Sequence, residues 1–213
     1  MQHETKENIL NPPNVITLLR ILLVPVFVAI LLAPWPTWFP DVHFWFSAQP
    51  WIAAAVFAVI AVTDSLDGYL ARSRGQETDF GRFLDPLADK ILVSSALLAL
   101  VELHELPSWI ALIIIAREFI VSGLRMVAAS QGVVVAASKY GKVKAVLQIV
   151  AILLFIIKGT LQIQIMGGGF STAFTIFAWS VMAVAVIMTL LSMVDYFSKS
   201  RELFGFGGKG PDV

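Results

Sequence analysis

Six apolar stretches dominate this sequence, each close to the roughly 20 residues that an α-helix needs to cross about 30 Å of hydrocarbon. They lie near residues 14 to 33, 51 to 72, 86 to 103, 107 to 129, 143 to 160 and 173 to 197. Breakers separate them: "APWPTWFP" after the first, "LHELP" between the third and fourth, "GGGFS" before the sixth. Trp35, Trp38, Trp45, Trp51 and Trp109 cluster at segment ends, where an interfacial aromatic belt belongs. With 58% hydrophobic residues and a mean hydropathy of +0.82, the expected fold class is all-α, a polytopic integral membrane protein with six transmembrane helices.

Lysine and arginine set the expected orientation. The loops at 34 to 50, 104 to 107 and 159 to 172 contain none, whereas Lys6, Arg72, Arg74, Arg82, Lys139, Lys142, Lys144, Lys199, Arg201 and Lys209 all fall on the other side. Both termini and the loops after the second and fourth helices are therefore expected in the cytoplasm. This divides the chain into an N-terminal cytoplasmic segment at 1–13, a six-helix membrane domain at 14–198 and a flexible, glycine-rich cytoplasmic tail at 199–213. No small-residue cleavage site follows the first apolar run, so that helix is expected to stay in the protein. Formal net charge is zero, which gives no global bias toward nucleic acid, and the absence of cysteine removes disulfides, thiolate metal sites and cysteine nucleophiles.

Against this background "TDSLDGYLARSRGQETDFGRFLDPLADK", residues 63 to 90, stands out. Continued as helix, 100° per residue puts Asp64, Asp67, Gly68 and Ala71 on one face, and Gly81, Asp85 and Asp89 on one face of the next helix. The glycines and alanine beside the carboxylates let backbone or ligand approach closely. An aspartate within a membrane helix costs about 2.5–3.5 kcal/mol at the centre, and four together repel unless cations neutralise them. An all-carboxylate donor set is hard and suits Mg²⁺ or Mn²⁺, with two divalent ions balancing four charges. Capping and pairing with Arg72, Arg74, Arg82 and Lys90 is the structural alternative. A divalent-cation transporter is the functional one, although transporter acids usually sit nearer the midplane than these.

The spacing D, two residues, DG, two residues, AR, eight residues, G, three residues, D, three residues, D resembles the signature of the CDP-alcohol phosphatidyltransferases at all eight defining positions: Asp64, Asp67, Gly68, Ala71, Arg72, Gly81, Asp85 and Asp89. The resemblance implies an alcohol attacking the lipid-bearing phosphorus of a CDP-activated lipid, with CMP leaving, at a pair of divalent ions. It makes Asp64, Asp67 and Asp85 metal ligands and puts Asp89 at the metal site as the general base. Gly68, Ala71 and Arg72 would contact the CDP moiety, and Gly81 would permit close packing there. Asn14 and Thr17, one turn apart, match a family segment associated with the CDP-lipid phosphates; on their own they also read as a helix cap and its neighbour. A homodimer in a bacterial cytoplasmic (inner) membrane, with the active site facing the cytoplasm, is the assembly the resemblance implies.

The acceptor alcohol is read from the fourth helix onward. "AREFIVSGLRMVAAS" buries Arg117 beside Glu118 in an apolar segment, with Arg125 two turns later. Arg117 needs an anionic partner, either Glu118 or a motif aspartate in a structural pair, or a bound phosphate. Arg125 is close enough to the helix end to snorkel. Lys139, Lys142 and Lys144 meet anionic lipid, or join the arginines in a cationic pocket for a phosphorylated alcohol. "PPNVITLLRILLVPVF", "AREFIVSGLRMVAAS" and "GKVKAVLQ" resemble the bacterial branch of the family that uses glycerol 3-phosphate. That assigns Arg117, Arg125, Lys139 and Lys142 to the acceptor phosphate. An inositol phosphate or serine is the alternative acceptor, and serine suits a cationic pocket poorly.

Overall fold

The structure is a computed structural model that describes residues 12–34, 48–63, 79–130, 139–160, 163 and 166–200, with backbone alone for 12–16, 79–89, 139–140, 142 and 199–200. Among the described residues there is no strand, and six long helices account for nearly everything. These are α1 (Pro12–Leu32), α2 (Ala48–Thr63), α3 (Asp79–Glu102), α4 (Ser108–Ser130), α5 (Lys139–Lys158) and α6 (Gly168–Ser200).

The six expected segments each meet one helix, but apolarity marked the helix middles better than their ends. The third helix starts at Asp79 rather than 86, because "DFGRFLD" continues the helix through polar sequence that a hydropathy window does not register. The expected continuation of the second helix over 64–72 lies outside the described residues. By length and composition, one helix among the described residues is fit to cross a membrane: α6 over Gly168–Ser198, with mean hydropathy 2.3. The 23-residue α4 is interrupted chemically by Arg117, Glu118 and Arg125.

Local signals account for the helix ends. Pro12 and Pro13 open α1, where a missing N–H costs nothing, while Pro25 inside it removes one intrahelical bond. α3 stops in a two-bond cap: His104 N–H donates to Val101 O at 3.0 Å and Glu105 N–H to Leu100 O at 2.9 Å. His104 takes the left-handed conformation this cap requires (φ 58°), the place where glycine is commoner. Gly167, at φ 102°, precedes α6.

Contacts fix an alternating up-and-down arrangement. The Gln49 amide donates to Ile30 O at 2.8 Å, joining the start of α2 to the end of α1, and Phe27 meets Phe57 with ring centroids 5.4 Å apart. α1 lies along α3, and α5 packs most extensively against α6. Gln148 donates to Thr189 Oγ1 at 3.1 Å while Phe155 meets Trp179 edge-on at 5.0 Å, so α5 and α6 run antiparallel. Buried Ala53, Ala54, Ala96, Ala99, Ala151, Ala178 and Ala185 let the helix backbones approach. Outward positions are apolar instead of polar, among them Leu22, Leu112, Met126, Ile176 and Val194, each more than 60% exposed.

One end of the bundle gathers the end of α1, the start of α2, the end of α3 and the end of α5. It is tied by Lys158, whose ammonium meets Glu105 Oε2 at 3.0 Å and Glu105 O at 3.0 Å while lying over the Phe155 ring. The starts of α1, α3 and α5 and the ends of α2, α4 and α6 meet at the opposite end.

Candidate active site

Polarity inside the bundle is one-sided. Thr17, Arg20, Arg117, Lys144, Gln148, Thr189 and Ser192 are buried, and all lie between the bundle's middle and the end where α2 finishes and α3 begins. Among the described residues, Thr160 is the one buried polar side chain near the other end. An apolar bundle concentrates buried polar groups where they have a partner or a ligand to meet.

The cluster centres on Glu118. Its carboxylate receives Lys144 Nζ from α5 and lies 3.4 Å from the Arg117 guanidinium. All three side chains are largely withdrawn, at 7% exposure for Arg117, 4% for Lys144 and 15% for Glu118. Arg117 also donates from NH2 to Ser192 Oγ of α6 at 2.5 Å, whereas its Nε has no hydrogen-bond partner among the described residues. Two cations thus share one largely buried carboxylate. One turn beyond Ser192, buried Tyr196 lies under Arg125, whose guanidinium is 5.5 Å from the ring centroid.

α4 can present this group because it is helical through the charges: Ile110, Ala111, Ile114, Arg117, Val121 and Ala128 form its buried stripe. Arg117 thus occupies a core position of the stripe, while Arg125 falls on an exposed one. Of the partners expected for Arg117, Glu118 is the one its contacts show. Its Nε meets no acceptor among the described residues.

The remaining expected site residues are distributed as follows. Thr17 is buried on α1, with Asn14 one turn before it in the same helix. Gly81, Asp85 and Asp89 lie on α3 at intervals of four residues, a register that places them along one face. Asp64, Asp67, Gly68, Ala71 and Arg72 lie outside the described residues; the chain reaches them directly from Thr63, the last residue of α2. Lys139 and Lys142 belong to the first turn of α5, at the same end of the bundle as the start of α3.

Sequence reasoning passed over Thr189, Ser192 and Tyr196. Their signal was present as polar residues at i, i+3 and i+7 along one face of a mostly apolar helix. Lys144 was read with the basic loop and turns out to point into the bundle, where Glu118 meets it.

The family model described as CDP-alcohol phosphatidyltransferase matches residues 10–191. The CDP-diacylglycerol–glycerol-3-phosphate 3-phosphatidyltransferase of Bacillus subtilis (strain 168) is 42% identical over 193 residues, covering 90% of this chain and 96% of that protein. A probable phosphatidylglycerophosphate synthase of Mycobacterium tuberculosis (strain H37Rv) is 38% identical over 202 residues, 94% of this chain and 86% of its own length. The Escherichia coli (strain K12) CDP-diacylglycerol–glycerol-3-phosphate 3-phosphatidyltransferase is 38% identical over 196 residues, 90% of this chain and 95% of its own. With the eight-position aspartate signature and the matched helices spanning α1 to α6, the chain belongs to the CDP-alcohol phosphatidyltransferase family.

Proposed function

We propose that this protein transfers the phosphatidyl group of CDP-diacylglycerol to glycerol 3-phosphate, giving phosphatidylglycerol phosphate and CMP. The observation that carries the reading is the placement, at one end of the bundle, of the end of α2 and the start of α3, between which the aspartate signature falls in sequence, together with the buried cluster of Arg117, Lys144 and Glu118. The printed names of the relatives, which span nearly the whole chain, support the same substrates.

The donor set fits divalent ions: four carboxylates are hard oxygen ligands, and Asp85 and Asp89 occupy one face of α3. Asp64, Asp67, Asp85 and Asp89 would hold two such ions, Mg²⁺ or Mn²⁺. When bound, the ions supply charge neutralisation at the diphosphate and its leaving oxygen. Asp89 accepts the proton of the acceptor hydroxyl. The hydroxyl oxygen then bonds to the lipid-bearing phosphorus as the bond to the CMP oxygen breaks. Gly68, Ala71, Arg72 and Gly81, with Asn14 and Thr17 of α1, form the CDP-lipid side. Arg117, Arg125, Lys139 and Lys142 hold the acceptor's phosphate, and Glu118 keeps Arg117 and Lys144 in place when no phosphate is bound.

In this reading all six helices cross a bacterial cytoplasmic membrane, both termini are cytoplasmic and the reactive end faces the cytoplasm. The support is the positive-inside pattern, the apolar outward positions and the length of α6. The homodimer is supported by the family resemblance alone.

The test is CMP release from CDP-diacylglycerol by the purified protein in detergent, with and without glycerol 3-phosphate and with chelator added and then reversed by Mg²⁺. The reading expects release that needs both substrates and is restored by the metal. Divalent-cation uptake into proteoliposomes with no CMP release would instead establish a transporter.

A further inference from the structure

The last helix carries polar groups that lie outside the aspartate signature and meet the arginines of α4. Ser192 Oγ accepts the 2.5 Å bond from Arg117, and Tyr196, one turn on, stacks under Arg125. The Tyr196 phenol is buried, at 3% exposure, and its hydroxyl has no hydrogen-bond partner among the described residues; the same holds for Arg117 Nε. Buried tyrosine hydroxyls nearly always find a partner, and an orphaned buried donor calls for an explanation. Here two orphaned donors belong to side chains that flank one polar seam between α4 and α6, lined by the guanidinium groups of Arg117 and Arg125.

We infer that α6 forms a wall of the acceptor site, with the Tyr196 hydroxyl donating a hydrogen bond to the phosphomonoester of the acceptor while Ser192 and the Tyr196 ring position Arg117 and Arg125. The inference rests on the acceptor reading above and adds to it a binding residue and two positioning contacts from a helix that carries no part of the signature. A dianionic phosphate takes several donors at once, and a neutral hydroxyl completes a site of guanidinium groups without adding further charge repulsion. Serine at Ser192 suits its place, since a small acceptor orients the guanidinium without filling the seam.

Tyr196→Phe isolates the hydroxyl, because the ring and its stacking with Arg125 are retained. In steady-state CMP release, the KM for glycerol 3-phosphate is expected to rise about tenfold, the low end of what loss of a hydrogen bond to a charged group produces. The KM for CDP-diacylglycerol and kcat are expected to stay within about twofold. Ser192→Ala shifts the same KM in the same direction. A second readout does not depend on turnover: inorganic phosphate or glycerol 3-phosphate raises the unfolding temperature of the wild-type protein in detergent, and Tyr196→Phe loses most of that shift at equal ligand concentration. An unchanged acceptor KM, a parallel rise in both KM values, or an undiminished thermal shift overturns the inference, the parallel rise assigning Tyr196 a structural role. A wild-type protein stabilised by phosphate but inactive with glycerol 3-phosphate refutes the proposed acceptor alone, and the loss or retention of the thermal shift in Tyr196→Phe then decides the role of the hydroxyl.

Discussion

Glu118→Gln tests whether the buried cluster between α4 and α5 holds the bundle together as well as shaping its site. The carboxylate lies against Lys144 Nζ and 3.4 Å from Arg117, and no side chain of the three is more than 15% exposed. Glutamine keeps the volume and one acceptor but removes the charge, so the Lys144 ammonium and the Arg117 guanidinium are left facing a neutral amide. Breaking a buried ion pair by removing one partner costs about 3–5 kcal/mol, and partial access of Glu118 to solvent argues for the lower end, about 3 kcal/mol. Lys144→Met should cost less, about 1–2 kcal/mol, because Glu118 retains Arg117 as a partner. In the double variant Glu118→Gln/Lys144→Met the losses should fall short of their sum, with a coupling of about 1–3 kcal/mol. Unfolding by SDS titration in mixed micelles, followed by circular dichroism, measures all three. A single Glu118→Gln variant within about 0.5 kcal/mol of the wild type, or strict additivity in the double variant, would refute the reasoning.

Asp64→Asn and Asp89→Asn are each expected to abolish CMP release while leaving helicity and detergent-extracted yield unchanged; substantial turnover in either would remove the two-ion assignment. Arg117→Gln and Arg125→Gln should raise the KM for glycerol 3-phosphate by about tenfold or more with little change for CDP-diacylglycerol, as loss of a charge-assisted contact implies. Equal loss toward both substrates would assign the arginines to structure. Because the chain has no cysteine, single cysteines at positions 3 and 105 report topology directly. A membrane-impermeant maleimide added to intact cells should label position 105 and leave position 3 unlabelled, and the reverse pattern would invert the orientation.

How much of this was legible in the sequence follows from what each signal depends on. The apolar runs depend on composition along one segment, and each of the six meets a helix. The start of α3 at Asp79 and the start of α5 at Lys139 did not show, because polar helical turns carry no hydropathy signal. The need of Arg117 for an anion was readable from its depth, and Glu118 beside it was the obvious partner. That Lys144, 26 residues away, shares the same carboxylate was not readable, because it depends on how α5 crosses α4. Ser192 and Tyr196 were missed for a related reason: serine and tyrosine are common enough in apolar helices to pass as tolerated, and only the packing of α6 against α4 gives them partners. The aspartate signature needed no tertiary information, since its spacing alone carries it, and it joins the end of α2 to the first half of α3.

In the proposed function the buried cations select a phosphorylated glycerol as the alcohol. The direct measurement is an acceptor comparison on the purified protein with CDP-diacylglycerol and Mg²⁺, in which glycerol 3-phosphate, inositol phosphate and serine are offered singly and CMP release is followed. Release with glycerol 3-phosphate is expected at a kcat/KM at least about 100-fold above the other two, the discrimination that about 2.7 kcal/mol of differential transition-state binding gives. Equal or faster release with inositol phosphate or serine would contradict it.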